Sequence, residues 1–259
     1  MNNNQGKFEQ DLNILLSRLT IDIDKKAIHK LGKLRNRLLR LQKENIVKIN
    51  HSVMELVCAK YLVLKGYDVQ IEKPLNEILT CDLFSVKGFG KLIVEIETGY
   101  IPPEHAMDPL TYTYARLASK IIRYSCFSEK FALGIPQHYI LPLPRTLTLP
   151  PRKRTAQDID EIKNLCDWYY QNPPVTEEDI RNARIHEIYV IDVDRTAVHA
   201  MDPETYMKRA LNKRVIFSLN EESPIRRAEP RPPPYRGEKL DKYMKTNPFF
   251  KGKGSLKRK

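Results

Sequence analysis

Residues 81–97 read Cys-Asp-Leu-Phe-Ser-Val-Lys-Gly-Phe-Gly-Lys-Leu-Ile-Val-Glu-Ile-Glu and set three carboxylates, Asp82, Glu95 and Glu97, at the mouth of a hairpin pattern. Leu83, Phe84 and Val86 mark one strand; Leu92, Ile93, Val94 and Ile96 mark the other. Lys87-Gly88-Phe89-Gly90 between them carries the glycines of a tight loop. A loop of those four residues sets Val86 against Lys91, Phe84 against Ile93 and Asp82 against Glu95. Side chains alternate along a strand, so Ile93, Glu95 and Glu97 share a face that Asp82 joins. Facing carboxylates repel, and burying them costs still more. A divalent cation would neutralise the group, and an all-oxygen set suits Mg²⁺ or Mn²⁺. The competing account is a solvated sheet edge. The run Leu-Ile-Val-Glu-Ile-Glu is apolar on both faces before its acids begin, which argues for a buried strand.

The surrounding elements must bring further groups to these acids. A helix over residues 50–65, stopped by Gly66, is apolar nearly all round and carries a single acid, Glu55. One carboxylate on a buried helix needs a partner, and the hairpin acids supply one through a shared metal ion. His51 lies four residues earlier on the same face. It is within reach of Glu55, but it reads as a helix-entry histidine without ligand duty. A strand over 67–72 leads into the hairpin. After it, a helix over 110–127 aligns Tyr112, Arg116, Lys120 and Arg123 in one stripe. That stripe is either a salt-bridged surface or a basic wall beside the acids. His105, next to Glu104 in the intervening loop, is a further residue placed to line the site.

Two helices precede this region, one over 8–20 and one over 24–44 with Asp22 or Asp24 as its cap. Leu31, Leu34, Leu38 and Leu41 make a stripe suited to packing within one domain, opposite a lysine- and arginine-rich face. A strand follows at 130–135. The proline-rich, basic stretch 141–154 reads as a connecting surface loop. Helices over 156–171 and 176–183, a strand over 187–194, a helix over 203–211 and a strand over 214–219 complete the globular part. The expected organisation is an N-terminal helical extension (1–48), a core (49–140), an α/β continuation of the same domain (141–222) and a basic, proline-containing, flexible tail (223–259).

The 259 residues carry a net charge of +12. From Pro224 to Lys259 there are twelve Lys/Arg and three acids, so most of the excess sits in the tail. Such a tail suits a polyanion, nucleic acid before membrane, because no apolar face accompanies it. No apolar run approaches the ~20 residues of a membrane span, and the N-terminus lacks the core of a signal peptide. Four scattered cysteines give neither a disulfide framework nor a zinc motif. The chain is therefore expected to be intracellular, cytoplasmic or nucleoid-associated. Phosphate-binding glycine loops, a nucleophile elbow and zinc-protease histidine spacing are all absent from the sequence.

The order helix with Glu55, strand, strand with Asp82, strand with Glu95-Ile-Glu97, basic helix, strand resembles the PD-(D/E)xK nuclease superfamily, which includes restriction endonucleases and archaeal Holliday-junction resolvases. The resemblance covers residues 50–136. It implies an α/β fold with a restriction endonuclease-like core: a mixed central sheet flanked by helices, here with N-terminal helices and a basic C-terminal tail added. It also implies Asp82 and Glu95 as metal ligands, Glu55 as the helix acid that binds or orients a metal-bound water, and Mg²⁺ or Mn²⁺ as cofactor. Cys81 stands where the name-giving proline would be. Glu97 replaces the usual lysine of the third strand, and Lys120 is the best substitute for it. Arg116 and Arg123 are then placed to contact phosphate, with Arg226, Arg227, Lys251, Lys253 and Lys257 extending the nucleic-acid contact along the tail. The expected activity is metal-dependent endonucleolytic hydrolysis, of DNA before RNA, by a catalytic set of Glu55, Asp82, Glu95, Glu97 and Lys120. A homodimer would serve cutting of both strands. The alternative is a non-catalytic nucleic-acid-binding or assembly factor in which Glu97 marks a lost active site.

Overall fold

The computed structural model of the protein describes residues 3–212. The strand expected at 214–219 and the tail, with Arg226, Arg227, Lys251, Lys253 and Lys257, lie outside the described residues. The chain divides into two units, Met1–Ser218 and Leu219–Lys259, and the described residues belong to the first. No described helix is long and apolar enough to cross a membrane.

Helices α1 (Asn3–Leu19), α2 (Lys25–Lys43) and α3 (Ile49–Leu64) open the fold. Asp24 caps α2, its carboxylate accepting from the Lys26 and Ala27 amides. Gly66 turns the chain out of α3 at φ +85, where a Cβ would be strained. Phe8, Leu12, Leu15 and Leu19 of α1 and the leucine stripe of α2 are buried with α3 in one core. These helices cover one face of the sheet, meeting Val69, Ile71, Leu83, Leu92, Val94 and Ile96.

The sheet has six strands in sequential order: β1 (Asp68–Pro74), β2 (Thr80–Lys87), β3 (Gly90–Ile96), β4 (Lys130–Pro136), β5 (Glu187–Asp192) and β6 (Ala197–Met201). The β1–β2 and β2–β3 pairs are antiparallel. β4 and β5 continue in parallel from β3, and β6 closes the sheet antiparallel to β5. Across the hairpin Phe84 pairs with Ile93 and Val86 with Lys91, the expected register. Lys87 pairs with Gly90, so the loop shortens to Gly88-Phe89.

The opposite face carries α4 (Pro109–Ser125), which links β3 to β4, followed by α5 (Arg145–Thr148), α6 (Ala156–Tyr169) and α7 (Glu177–Asn182) before β5. Helix α8 (Pro203–Asn212) follows β6. Leu117, Ala118, Ile121 and Ile122 of α4 pack with Phe84, Ile93, Phe131, Leu133 and Ile135 in a second core. The expectation of a surface loop over 141–154 is corrected here. Leu141, Leu143 and Leu147 are buried in that core, and Arg154 is 5% exposed. Arg154 donates to the carbonyls of Thr146, Leu147, Leu149, Ile180, Arg181 and Ala183. Prolines made this backbone irregular, and one guanidinium satisfies the carbonyls that irregularity leaves over. Strand β6 was not expected. Its half-exposed residues alternate weakly, and the turn before it depends on Asp192 accepting the Arg195 amide and on Thr196 at φ +50.

Candidate active site

The β2–β3 ladder ends at Leu83 and Val94. One step on, side chains replace backbone partners. The Asp82 amide donates to Glu95 Oε1 at 3.0 Å, and the Ile96 amide donates to Asp82 Oδ2 at 2.5 Å. The strands part at this point, so the helices on both faces reach one spot. Helix α3 delivers His51 and Glu55 from one side; α4 delivers Arg116 and Lys120 from the other. The Ile96 carbonyl lies between them, accepting from Lys120 Nζ at 3.1 Å and standing 3.3 Å from His51 Nε2.

On the α4 side, Lys120 Nζ lies 2.9 Å from Glu97 Oε1, 3.2 Å from Glu95 Oε2 and 3.9 Å from Asp82 Oδ2. Arg116 Nη2 takes the other Glu97 oxygen at 3.0 Å. On the α3 side, His51 bridges Asp82 Oδ2 (3.4 Å from Nε2) and Glu55 Oε1 (3.7 Å from Nδ1). His51, Glu55, Glu72 and Asp82 each offer a ligand atom, all within 4.8 Å of one another.

Burial and mutual charge set the electrostatics. Glu55 has no exposed surface and is held well above the usual carboxylate range by desolvation, against the pull of His51. Desolvation and the Asp82 charge raise Glu95 to about 8 and Glu72 to about 7. For Asp82 desolvation works upward, but His51, Lys120 and the Ile96 amide together hold it below its ordinary value. Burial opposes the charge on His51, yet Asp82 and Glu55 outweigh it and lift the imidazole to about 10. Burial likewise opposes charge on Lys120, and Glu97, Glu95 and Asp82 together drive its pKa well upward. Asp82 is therefore the persistent anion, flanked by two cationic side chains.

The structure brings Glu55, Asp82, Glu95, Glu97 and Lys120 together, with Arg116 behind Glu97. Arg123 lies elsewhere: it donates to the carbonyls of Tyr170 and Pro173, tying the segment after α6 to α4. His105 stacks on Tyr112 with ring centroids 3.9 Å apart and faces Asp108. Two residues of the site were not read from the sequence. For His51, whose sequence context is that of a helix-entry residue, the i, i+4 relation to Glu55 is the available signal. Glu72 was given no role. It stands across from Asp82, since Ile71 pairs with Leu83 and Lys73 with Cys81. That register is set by the Leu75–Leu79 turn, where Asn76 accepts the amides of Ile78 and Leu79, not by a glycine loop.

The donor set fits a divalent cation. Neither oxygen of Glu55 accepts from an N–H or O–H donor, its near neighbours being the Glu72 carboxylate and His51, and a buried carboxylate so placed is costly unless a cation or a shared proton serves it. No protein-family model, curated protein or solved structure matches the chain. Fold and site together define an α/β protein with a six-stranded mixed sheet flanked by helices and a buried acidic and histidine group able to hold a metal ion.

Proposed function

We propose that the protein is a metal-dependent nuclease that hydrolyses phosphodiester bonds in nucleic acid, DNA before RNA. The observation that carries this reading is the convergence of Glu55, Asp82, Glu95 and Lys120 where β2 and β3 part. Element order supports it as well: α3, three antiparallel strands, α4 and then β4 parallel to β3 run as the resemblance to the PD-(D/E)xK superfamily implies. Asp82 and Glu95, with Glu55, are the residues that would hold Mg²⁺ or Mn²⁺. Such an ion, when bound, lowers the pKa of a coordinated water and shields phosphate charge. Lys120 supplies a positive group against charge developing on the phosphate. Glu97 does not replace the missing third-strand lysine chemically. It pairs with the ammonium of Lys120, which would serve in that lysine's stead, and Arg116 pairs with Glu97 in turn.

A second reading has its own observation. Lys120 is engaged by Glu95 and Glu97, an arrangement that also suits a permanently silent site on a nucleic-acid-binding protein. Incubating the full chain with labelled duplex, branched and single-stranded DNA and with RNA, in Mn²⁺ or in EDTA, separates the two. Cleavage in Mn²⁺, abolished by EDTA and reduced at least a hundredfold by Asp82→Asn and Lys120→Met with binding retained, is the expected result. Binding to the substrates without cleavage in Mn²⁺ would leave only the binding factor.

A further inference from the structure

We infer that the α3 side of the cluster is a cation position of its own, formed by His51, Glu55, Glu72 and Asp82, and that Arg37 is the positioning residue that presents Glu72 to it. The inference deepens the proposed function by naming a ligand set and ion class, and rests on that reading through the shared Asp82 and Glu55.

Glu72 carries the argument. Its neighbours Val69 and Ile71 face α3, so strand alternation assigns Glu72 to the other face. Its carboxylate nevertheless lies within 4.8 Å of ligand atoms of His51 and Glu55, both on α3. The backbone makes the difference: Glu72 has φ +47, a left-handed conformation that a residue with a Cβ adopts at a cost. Something must hold it there. Arg37 of α2 donates from Nε to the Ile71 carbonyl (3.1 Å) and from Nη2 to the Glu72 carbonyl (2.9 Å). Consecutive carbonyls of a regular strand point to opposite sides, so one guanidinium reaches both only because the strand turns at Glu72. Arg37 therefore recognises the strained conformation itself. β1 is the edge strand of the described sheet, and no ladder bond on its outer side competes with this clamp.

The second observation is independent of that geometry. Glu55 is fully buried on a largely apolar helix and faces the group, and neither of its oxygens accepts from an N–H or O–H donor; His51 Nδ1 stands 3.7 Å away and the Glu72 carboxylate lies beside it. A cation between Glu55, Glu72 and Asp82 supplies what the fold leaves out. His51, an imidazolium between Asp82 and Glu55 while no metal is bound, releases its proton when it ligates, and its nitrogen sets the ion class: Mg²⁺ favours oxygen and water, whereas a mixed imidazole and carboxylate set suits a divalent transition ion such as Mn²⁺.

The test uses the full chain, freed of metal, without nucleic acid. Mn²⁺ binding is read by calorimetry and by loss of the aqueous Mn²⁺ EPR signal. Coupling of bound Mn²⁺ to an imidazole nitrogen is read by pulsed EPR. The wild type is expected to bind Mn²⁺ at least tenfold more tightly than Mg²⁺ and to show the nitrogen coupling. His51→Gln should remove that coupling and narrow the preference. Glu72→Gln, which keeps shape, and Arg37→Ala should each weaken Mn²⁺ at least tenfold. Lys33→Ala, on the exposed face of the same helix, should change nothing. Circular dichroism in chelator reports folding, and Glu72→Asp replaces any variant that fails it, again with weakened Mn²⁺ expected. Unchanged Mn²⁺ affinity in the Glu72 and His51 variants, or no nitrogen coupling in the wild type, overturns the inference even if the protein cleaves DNA. Mn²⁺ bound through His51 and Glu72 without cleavage upholds it and removes the nuclease reading instead.

Discussion

Glu95 shows how far a side chain's state depends on its neighbours. In water it would be an ordinary carboxylate; desolvation and the Asp82 charge raise it from 4.5 to about 8. The sign of the consequence follows from linkage. A group whose pKa rises on folding favours the folded state fully below its unfolded value and loses that contribution as pH climbs through the folded one. In chelator, the wild type should therefore lose stability relative to Glu95→Gln between pH 5 and pH 9, because the amide cannot ionise. Urea midpoints of both proteins at the two pH values measure this, and parallel behaviour would mean that Glu95 is not desolvated as the structure has it. The types and spacing of Asp82, Glu95 and Glu97 were legible because a two-glycine hairpin fixes which residues face each other. Glu72 was not, because its place depends on a left-handed residue and on an arginine 35 positions away in the chain.

At the scale of elements, patterning carried most of the reading. The start of α2 was bounded by Asp22 or Asp24, of which Asp24 makes the cap, that of α7 by Thr176 with acids in its first turn, and the buried strands β3, β4 and β5 by their apolar runs. The stretch 141–154 defeated it because prolines signal irregular backbone without saying whether that backbone is covered. Arg154 is the answer, one cation shared among six carbonyls of two segments. Arg154→Met should cost about 3 kcal/mol or more, since a buried network loses the guanidinium that joins its two segments and the carbonyls stay behind. Denaturation midpoints check the size of the loss, while Mn²⁺ affinity, which depends on residues that Arg154 does not bond, should hold.

The whole molecule joins a nearly neutral body to a strongly basic end. Residues 224–259 hold twelve of the 44 Lys/Arg and only three of the 32 acids. If nucleic acid is the partner, removing this segment should lower the dependence of binding on salt, because each phosphate neutralised contributes about 0.9 to the slope of log K against log salt. Fluorescence anisotropy on one duplex across a salt series, for the full chain and a 1–223 chain, gives both slopes. A fall of about 3 or more is expected. Identical slopes would take the tail out of the interface.

By itself the sequence determined most of the local things: the long helices and the strands β1 to β5, the hairpin register, and that acids collect at the hairpin mouth, because these follow from periodicity and from turns a few residues long. The tertiary structure decided which face each acid serves and what answers its charge. Strands that part beyond Leu83 and Val94 let α3 and α4 enter from opposite sides, and only that geometry puts His51, Glu72 and Lys120 around Asp82. The physical reason is that contacts between distant segments are set by how layers pack, and no local pattern encodes them.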